Sequence, residues 1–597
     1  MVTKLINKSE VKSAIKVKGF PGECIAALAM WIAGFNKINQ IYKHISQYEG
    51  IEFAEKLLEH LNIKYDIEPE ELEYLPKDEP FIIVSNHPFG AIDGIILLSL
   101  IGKTRPDFKI LTNFILSRIP NLENEFFPVN PFTDKPGLRS SLKGIKMAKD
   151  HLEKGGALGL FPAGEVSSNG NKEKIVKDIE WQSSIIKLIR GAGVPVVPVY
   201  FDGENSKFFH LIGKISPWLR TVRLPHEMAN KKDKTISLRI GRPILATEIE
   251  EFTNNEELGK YLWNRTYALE ANISGRSEEN ARKQGGYTVP LADPVDKDVM
   301  AAEIAALEKK ILFQVGPYAC YLLNTQDIPH IMTEIGRCRE EAFRDVGEGT
   351  NQAIDTDKYD EYYKHLVLWD NEQKAVVGAY RLGLAGEIIA KMGIEGLYTN
   401  SLFQYSPRFK GHLRKSIELG RSFVSLAYQK ESIPLMLLIK GLLYTVIKYP
   451  HIKYLIGPVS ISAWYPLYYR SLMIYYLQKK QSLPEFAGYV TPKIPFVPDY
   501  KRTDVKALLA HRIDSMEKFD RFIYRLSNNR FRLPTLLKKY LKINARILAF
   551  NVDPDFNYCV DGLIMLNLTE VPKSEIDSLS KEFEDKEMVY RRFDIDE

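Results

Sequence analysis

FIIVSNHPFGAIDG, residues 81–94, sets a continuous apolar run against a polar turn. The run FIIV reads as a short buried strand from its β-branched and aromatic content. Pro88 and Gly90 then break the regular backbone, and IILLSLI, residues 95–101, reads as an apolar helix. His87 and Asp93 therefore stand at the exit of a strand and the entry of a helix. Strand ends in α/β sheets are where ligands and chemistry gather. The plainer reading is a turn whose Asp93 caps the helix and whose His87 is merely exposed.

Working outward, short apolar runs alternate with helical ones as far as residue 245. The strand candidates are FKILTN, ALGLFP, VPVVPVYF and ISLRIG, with IEWQSSIIKLIRGAG as a helix stopped by glycine. That alternation predicts a mostly parallel α/β sheet. Residues 1–75 read as helical, with IEFAEKLLEHLNI a plain amphipathic pattern. Residues 272–300 are polar with Gly and Pro, and read as a linker. A second unit follows, opened by the helix AAEIAALEKKI. Its strands are ACYLLN, HLVLWD, AVVGAYRLG, IELGRSFV, KYLIGPVSI, ARILAFNV and GLIMLNL, and its long helix is LMLLIKGLLYTVIKY. The expected architecture is α/β in two domains, 1–271 and 301–597, joined by 272–300.

Composition narrows the function classes. Apolar residues make up 45% and charged residues 26%, which excludes wholesale disorder. A net charge of +5 over 597 residues is too small to argue for nucleic acid. Cys24, Cys320, Cys338 and Cys559 form no CxxC pair, against a zinc ribbon or disulfide scaffold and in keeping with a reducing cytoplasm. The first residues lack the apolar core of a secretory signal. No run reaches the ~18–20 apolar residues of a membrane span. Tyr- and Trp-rich residues 454–477 suit an aqueous–lipid interface, so a peripheral membrane protein is expected.

The motifs at the first site are Asn86-His87-Pro88, then Asp93, then FPAGE at 161–165, then VPVVPV at 194–199. In this order they resemble the glycerolphosphate and lysophosphatidate acyltransferases, over roughly residues 20–260. The resemblance implies that His87 is a general base. It would take the proton of an alcohol whose oxygen attacks an acyl thioester, while Asp93 holds the imidazole tautomer. Histidine suits the task because it titrates near working pH. Asn86, Asn130, Gly164, Glu165 and Ser167 are the implied substrate-binding residues. Three departures stand out. Five residues separate His87 from Asp93 where the family has four. Ala163 and Val166 replace the family's Glu and Arg. The family's further Arg is missing near Asn130. Loss of these phosphate-binding groups implies an acceptor alcohol without glycerol phosphate.

In the second unit Arg381, Glu418 and Arg421 are embedded in apolar runs. A buried charge needs a partner, and an Arg–Glu network is the simplest structural answer. The order of Arg337, Arg339 and Glu340 before Ala342-Phe343, then Asp357 and Asp360, HLV, VVGAYRL and IELGRS resembles the ornithine-lipid N-acyltransferases of the GNAT-like fold. It covers roughly residues 305–570. The resemblance implies direct attack of an amine on an acyl thioester. Glu418 would take the proton, and Arg381 and Arg421 would hold an amino-acid carboxylate or orient Glu418. Asp357 and Asp360 would attract a cationic amine or start a helix.

Residues 521–546 hold eight Lys or Arg and no acid. Interleaved with Phe, Tyr and Leu, they suit an acidic carrier protein, anionic lipid or a solvated face, with RNA the poorest fit. Together the halves resemble a fused, bifunctional ornithine-lipid synthase. It would N-acylate an amino acid, ornithine favoured, with a 3-hydroxyacyl chain and then O-acylate that hydroxyl. The implied donor is acyl carrier protein or acyl-CoA, with no metal and no other cofactor. The implied partners are acyl carrier protein, amino-acid and lyso-lipid substrates and the inner face of the cytoplasmic membrane. Two alternatives are a lysophospholipid acyltransferase with an accessory GNAT-like domain and a non-catalytic lipid-binding protein.

Overall fold

The computed structural model describes residues 33–113, 119–129, 138–169, 175–215, 217–273, 286–486, 488–581 and 586–595, with positions 5, 8, 27, 30 and 31. The chain forms two compact units. Residues 1–274 and 500–531 make the first, and 275–499 and 532–597 the second. The sequence places everything after residue 300 in the second domain, whereas Tyr500–Phe531 folds into the first. The reason is visible within that unit. Phe519, Phe522, Ile523 and Leu526 are buried, and Arg525 donates to Glu248 and to the Pro243 carbonyl, both at 2.6 Å.

The first unit is built on seven strands: β1 Lys64–Asp66, β2 Phe81–Ser85, β3 Lys109–Asn113, β4 Phe126–Val129, β5 Ala157–Leu160, β6 Val196–Phe201 and β7 Thr235–Ile240. Their order is β1-β7-β6-β2-β5-β3-β4. All pairings are parallel except β6 with β7. β2 lies centrally between β5 and β6, and every residue of FIIVS is buried. A strand covered on both faces must be apolar throughout, which is why this run does not alternate. The helix Ala91–Gly102 that follows is buried along nearly its whole length. The two short strands β1 and β4 escape sequence reading because neither has a periodic pattern of useful length.

The main sheet of the second unit has eight strands among the described residues: β8 Ile311–Val315, β9 Tyr318–Asn324, β10 Lys364–Asp370, β11 Ala375–Leu384, β12 Ser416–Val424, β13 Tyr454–Ile461, β14 Arg546–Asp553 and β15 Cys559–Asn567. Their order is β8-β9-β10-β11-β12-β13-β15-β14. Only β12 and β13 run parallel, and they pair over just three residues, Ser416–Glu418 against Tyr454–Ile456. Beyond Glu418 the two strands part. On the other side of β12 the ladder to β11 is irregular between Ala379 and Arg381, and Arg421 takes φ 47°, a left-handed value rare for a side chain of this size. The sheet is therefore opened where the candidate residues cluster. The long apolar segment forms the helix Ile433–Lys448, and its Lys440 is buried. No helix among the described residues is long and apolar enough to cross a membrane.

Candidate active sites

In the first unit the turn after β2 creates the site. Gly90 adopts φ 85°, in the left-handed region that glycine tolerates, at the residue before the helix. Asp93, in the first helical turn, accepts the main-chain N–H groups of Phe89 and Gly90 at 2.9 and 3.1 Å through Oδ2. The same oxygen lies 2.9 Å from Nδ1 of His87. Asp93 thus caps the helix, as the plainer reading of the motif has it, and lies beside the histidine ring at once. Burial pushes the Asp93 carboxyl up from its ordinary range, and the His87 contact pulls against that shift. The His87 ring, still 15% exposed, packs against Phe161 with centroids 4.1 Å apart.

Asn86 is consumed structurally. Its side chain donates to the Phe201 carbonyl at 2.9 Å and accepts the Phe201 N–H at 2.8 Å, tying the end of β2 to the end of β6. Gly164 sits at φ 73°, where an added Cβ would lie 2.0 Å from Nε2 of Gln182. Glu165 meets Arg220 at 3.1 Å. Asn130 lies outside the described residues.

Ser167 leads to a residue that sequence reading missed. Its N–H donates to the His87 carbonyl at 2.9 Å. Its hydroxyl donates to Oδ1 of Asp178, which also accepts the His87 N–H at 3.2 Å. Trp181 donates to the other Asp178 oxygen at 3.1 Å. Asp178 is buried, and burial raises its pKa. It lies 91 residues from His87 in a polar stretch without periodicity, which is why no local signal marks it.

In the second unit Glu418 stands on β12 at the point of strand separation, 1% exposed. Tyr363 donates its hydroxyl to Oε2 at 2.7 Å, and the Thr399 N–H donates to Oε1 at 2.5 Å. Burial raises the pKa of Glu418. The Arg–Glu network expected from the sequence is replaced by an Arg–Asp one. Arg381 bonds Asp357 at 2.5 Å and lies 3.4 Å from Asp360. Arg421 pairs with Asp355 and Asp357, both at 3.1 Å, and Arg339 pairs with Asp360 at 2.8 Å. Burial opposes the ionised form of Asp360, yet Arg339 and Arg381 hold its carboxyl well below the usual range. The physical reason is charge economy: Asp355, Asp357 and Asp360 together face the three buried guanidiniums, leaving Glu418 with neutral donors.

Asp357 also starts a short 3-10 turn by accepting the Tyr359 N–H at 2.9 Å, as one of its sequence readings required. Arg381 is enclosed by the rings of Tyr359, Tyr363 and Tyr398 at 5.2–5.5 Å. Its Nε and Nη2 face no hydrogen-bond acceptor among the described residues. Arg421 stacks over Tyr398 and Phe556 at 4.9 and 4.3 Å.

A second group escaped sequence reading. Glu348, Asp553 and Asp561 are buried; on top of the effect of burial, Asp553 raises the pKa of Glu348, and Asp553 and Glu348 raise that of Asp561. Glu348, which accepts the Ser460 hydroxyl at 2.7 Å, is pushed up to about 7. Arg421 acts on Asp553 and Asp561 electrostatically. No group of His, Cys, Asp or Glu among the described residues has metal-holding geometry.

Comparison with known proteins places these sites in context. The family described as Acyltransferase matches residues 11–275, and the acetyltransferase (GNAT) domain matches residues 338–439. A glycine N(alpha)-acyltransferase of Bacteroides thetaiotaomicron is 30% identical over 287 residues, 45% of this chain and 82% of that protein. A lyso-glycine lipid O-acyltransferase of Phocaeicola vulgatus is 30% identical over 242 residues, 39% of this chain and 83% of that protein. The chain belongs to the acyltransferases. It joins an acyltransferase domain to a GNAT domain, in the families of N-acyl and O-acyl lipid enzymes. The 1-acyl-sn-glycerophosphate acyltransferase of Thermotoga maritima is 19% identical, with a TM-score of 0.25 over 40% of this chain and 83% of that one. Both domain types take acyl groups from thioester donors.

Proposed function

We propose that this acyltransferase makes a diacylated amino-acid lipid in two steps, one in each unit. The observation that carries the reading is the presence, in one chain, of two separate base arrangements: His87 with Asp93, and Glu418 with Tyr363. The relatives support it, since separate N-acyl and O-acyl enzymes each match about two-fifths of this chain while being covered over four-fifths of their own length.

In the GNAT unit the amine nitrogen of an amino acid attacks the thioester carbonyl carbon. A C–N bond forms, the C–S bond breaks, and Glu418 takes the amine proton and passes it to the departing sulfur, which leaves as the thiol. Burial keeps Glu418 basic enough for this role, against the lowering effect of its hydrogen bonds from Tyr363 and Thr399. In the first unit the hydroxyl of the resulting 3-hydroxyacyl chain attacks a second thioester. Nε2 of His87 takes its proton and returns it to the departing sulfur, while Asp93 stabilises the imidazolium. Ala163 and Val166, standing in place of phosphate-binding residues, suit an acceptor of this kind. The donor is acyl carrier protein or acyl-CoA, and the products call for work at the inner face of the cytoplasmic membrane.

Glycine is the favoured acceptor, on the names of the relatives, in place of the ornithine expected from the sequence. Ornithine remains the second reading. The buried acids Glu348, Asp553 and Asp561 exceed what a single α-ammonium needs and suit a dibasic amino acid.

Lipid mass spectrometry of a host expressing wild type, His87→Ala and Glu418→Ala tests the proposal. Wild type is expected to yield a diacyl amino-acid lipid whose mass names the amino acid. His87→Ala is expected to stop at the monoacyl form, and Glu418→Ala to yield neither. A wild-type host with no new lipid overturns the reading.

A further inference from the structure

The first unit carries an exposed apolar surface that neither catalytic arrangement uses. The helix Lys207–Ile215, sequence KFFHLIGKI, buries Phe209 and His210. It turns Phe208 and Leu211 outward, 51% and 57% exposed. Lys207 and Lys214 are exposed on the same outward side, and the helix contains no acid. Positions 207, 211 and 214 fall on one stripe at helical spacing, with 208 beside it.

The helix packs against the short strand Ser168–Asn169. That strand pairs with Val176–Lys177, and the flanking Ile175 and Ile179 are 50% and 47% exposed. Four exposed large aliphatic or aromatic side chains thus lie on this helix and beside the strand pair it adjoins, which together form a rim. The rim borders the histidine site. Ser167, next to the strand, bonds the His87 carbonyl. From the other side, the helix Pro217–Ala229 puts Arg223 over the Phe208 ring at 4.6 Å, and its Leu224 reaches within 3.2 Å of the place a Cβ would take on Gly90.

We propose that this rim is the surface by which the first unit docks on an anionic lipid bilayer, with Phe208 and Leu211 entering the interface and Lys207 and Lys214 meeting the headgroups. An in-plane helix with bulky apolar residues and flanking lysines has the chemistry such an interface selects. An acidic carrier protein would also meet the lysines. The half-exposed Phe208, Leu211, Ile175 and Ile179 favour a bilayer, because an apolar phase relieves their exposure while the headgroups meet the lysines. The proposal rests on the lipid reading of the His87 site. Docking there lets an amphiphilic hydroxyl acceptor reach His87 from the membrane instead of through water.

The test is sedimentation of the full chain with phosphatidylglycerol–phosphatidylethanolamine vesicles, and with phosphatidylcholine vesicles, in the absence of any acyl donor. Wild type is expected to bind the anionic vesicles. Phe208→Ser with Leu211→Ser is expected to weaken binding about tenfold or more. Lys207→Glu with Lys214→Glu is expected to abolish the preference for anionic lipid. O-acylation of an acceptor dissolved in detergent is expected to stay within about twofold of wild type in both double variants, which shows that the site still folds. Vesicle binding unchanged by the apolar pair overturns the proposal. So does equal loss of activity in detergent, or a loss confined to reactions fed by an acyl carrier protein. Because binding is read without turnover, it fails or succeeds apart from the two-step chemistry.

Discussion

His87 holds its Nδ1 2.9 Å from Oδ2 of Asp93. Asp93 is fully buried, whereas the histidine ring keeps a solvent edge; in the proposed O-acylation a proton on Nδ1 would face the acid and leave Nε2 for the acceptor hydroxyl. This arrangement fits a base and makes its loss predictable.

Asp93→Asn is expected to keep the turn but offer Nδ1 a mixed partner that no longer fixes the tautomer. O-acylation is expected to fall on the order of 10³-fold or more, with N-acylation unchanged. Separate assays of the two steps check this, and an equal loss in both would deny His87 its assignment to one step.

Glu418 gives the N-acyl step a pH signature. Its pKa is raised by burial, and the base must be ionised to accept a proton. The acid limb of the N-acylation rate is therefore expected above the ordinary carboxylate range, with the rate falling as pH drops through it. Glu418→Gln is expected to lower the rate by about 10²–10⁴-fold and erase that limb. A surviving limb in the variant would point to another group.

Glu71 predicts a pH-dependent stability in the first unit. Its oxygens accept the Ile240 N–H and the Asn528 side-chain amide, both at 2.7 Å, and burial pushes its pKa up to about 7. A carboxyl whose folded pKa is raised holds more protons folded than unfolded. Its favourable contribution is therefore complete below about 4.5 and is lost as pH rises toward 7, by on the order of 3 kcal/mol. Chemical unfolding between pH 5 and 8 is expected to show this decline, and Glu71→Gln to flatten it.

Gly164→Ala and Gly193→Ala separate strain from contact. Both glycines have positive φ, 73° and 63°. A Cβ on Gly193 meets nothing within 4 Å, while one on Gly164 displaces Gln182, which donates to the Ala163 carbonyl at 3.3 Å. Gly193→Ala is expected to cost about 1 kcal/mol of stability with O-acylation intact. Gly164→Ala is expected to cost about 2 kcal/mol and to lower O-acylation, since the lost hydrogen bond adds to the strain. Unfolding midpoints and initial rates check the pair.

Much of the fold is legible because buried strands must be apolar. FIIVS, ALGL and VVPVYF declare themselves by hydrophobic runs, and so do the strands of the second unit. The His87–Asp93 contact is legible for a similar reason. Pro88, Gly90 and the helix start confine both groups to one turn, so seven residues of sequence contain the geometry. Arg381, Glu418 and Arg421 are marked as well, because charge inside an apolar run demands a partner. Within the basic stretch 521–546, Arg525 is engaged by Glu248, and Phe522, Ile523, Leu526 and Leu537 are buried.

The sequence by itself therefore determined the α/β class, the two kinds of acyltransferase unit and the residues whose chemistry is local to a turn or strand. Only the tertiary structure decided who partners whom across distance. It put Asp178 beneath His87, gave Glu418 to Tyr363 and Thr399 instead of to an arginine, and gathered Glu348, Asp553 and Asp561 beside Arg421. It also returned Tyr500–Phe531 to the first unit. Short-range pattern reports which side chains must leave water. The partner that compensates a buried charge is chosen by chain crossings tens to hundreds of residues apart, which no local pattern encodes.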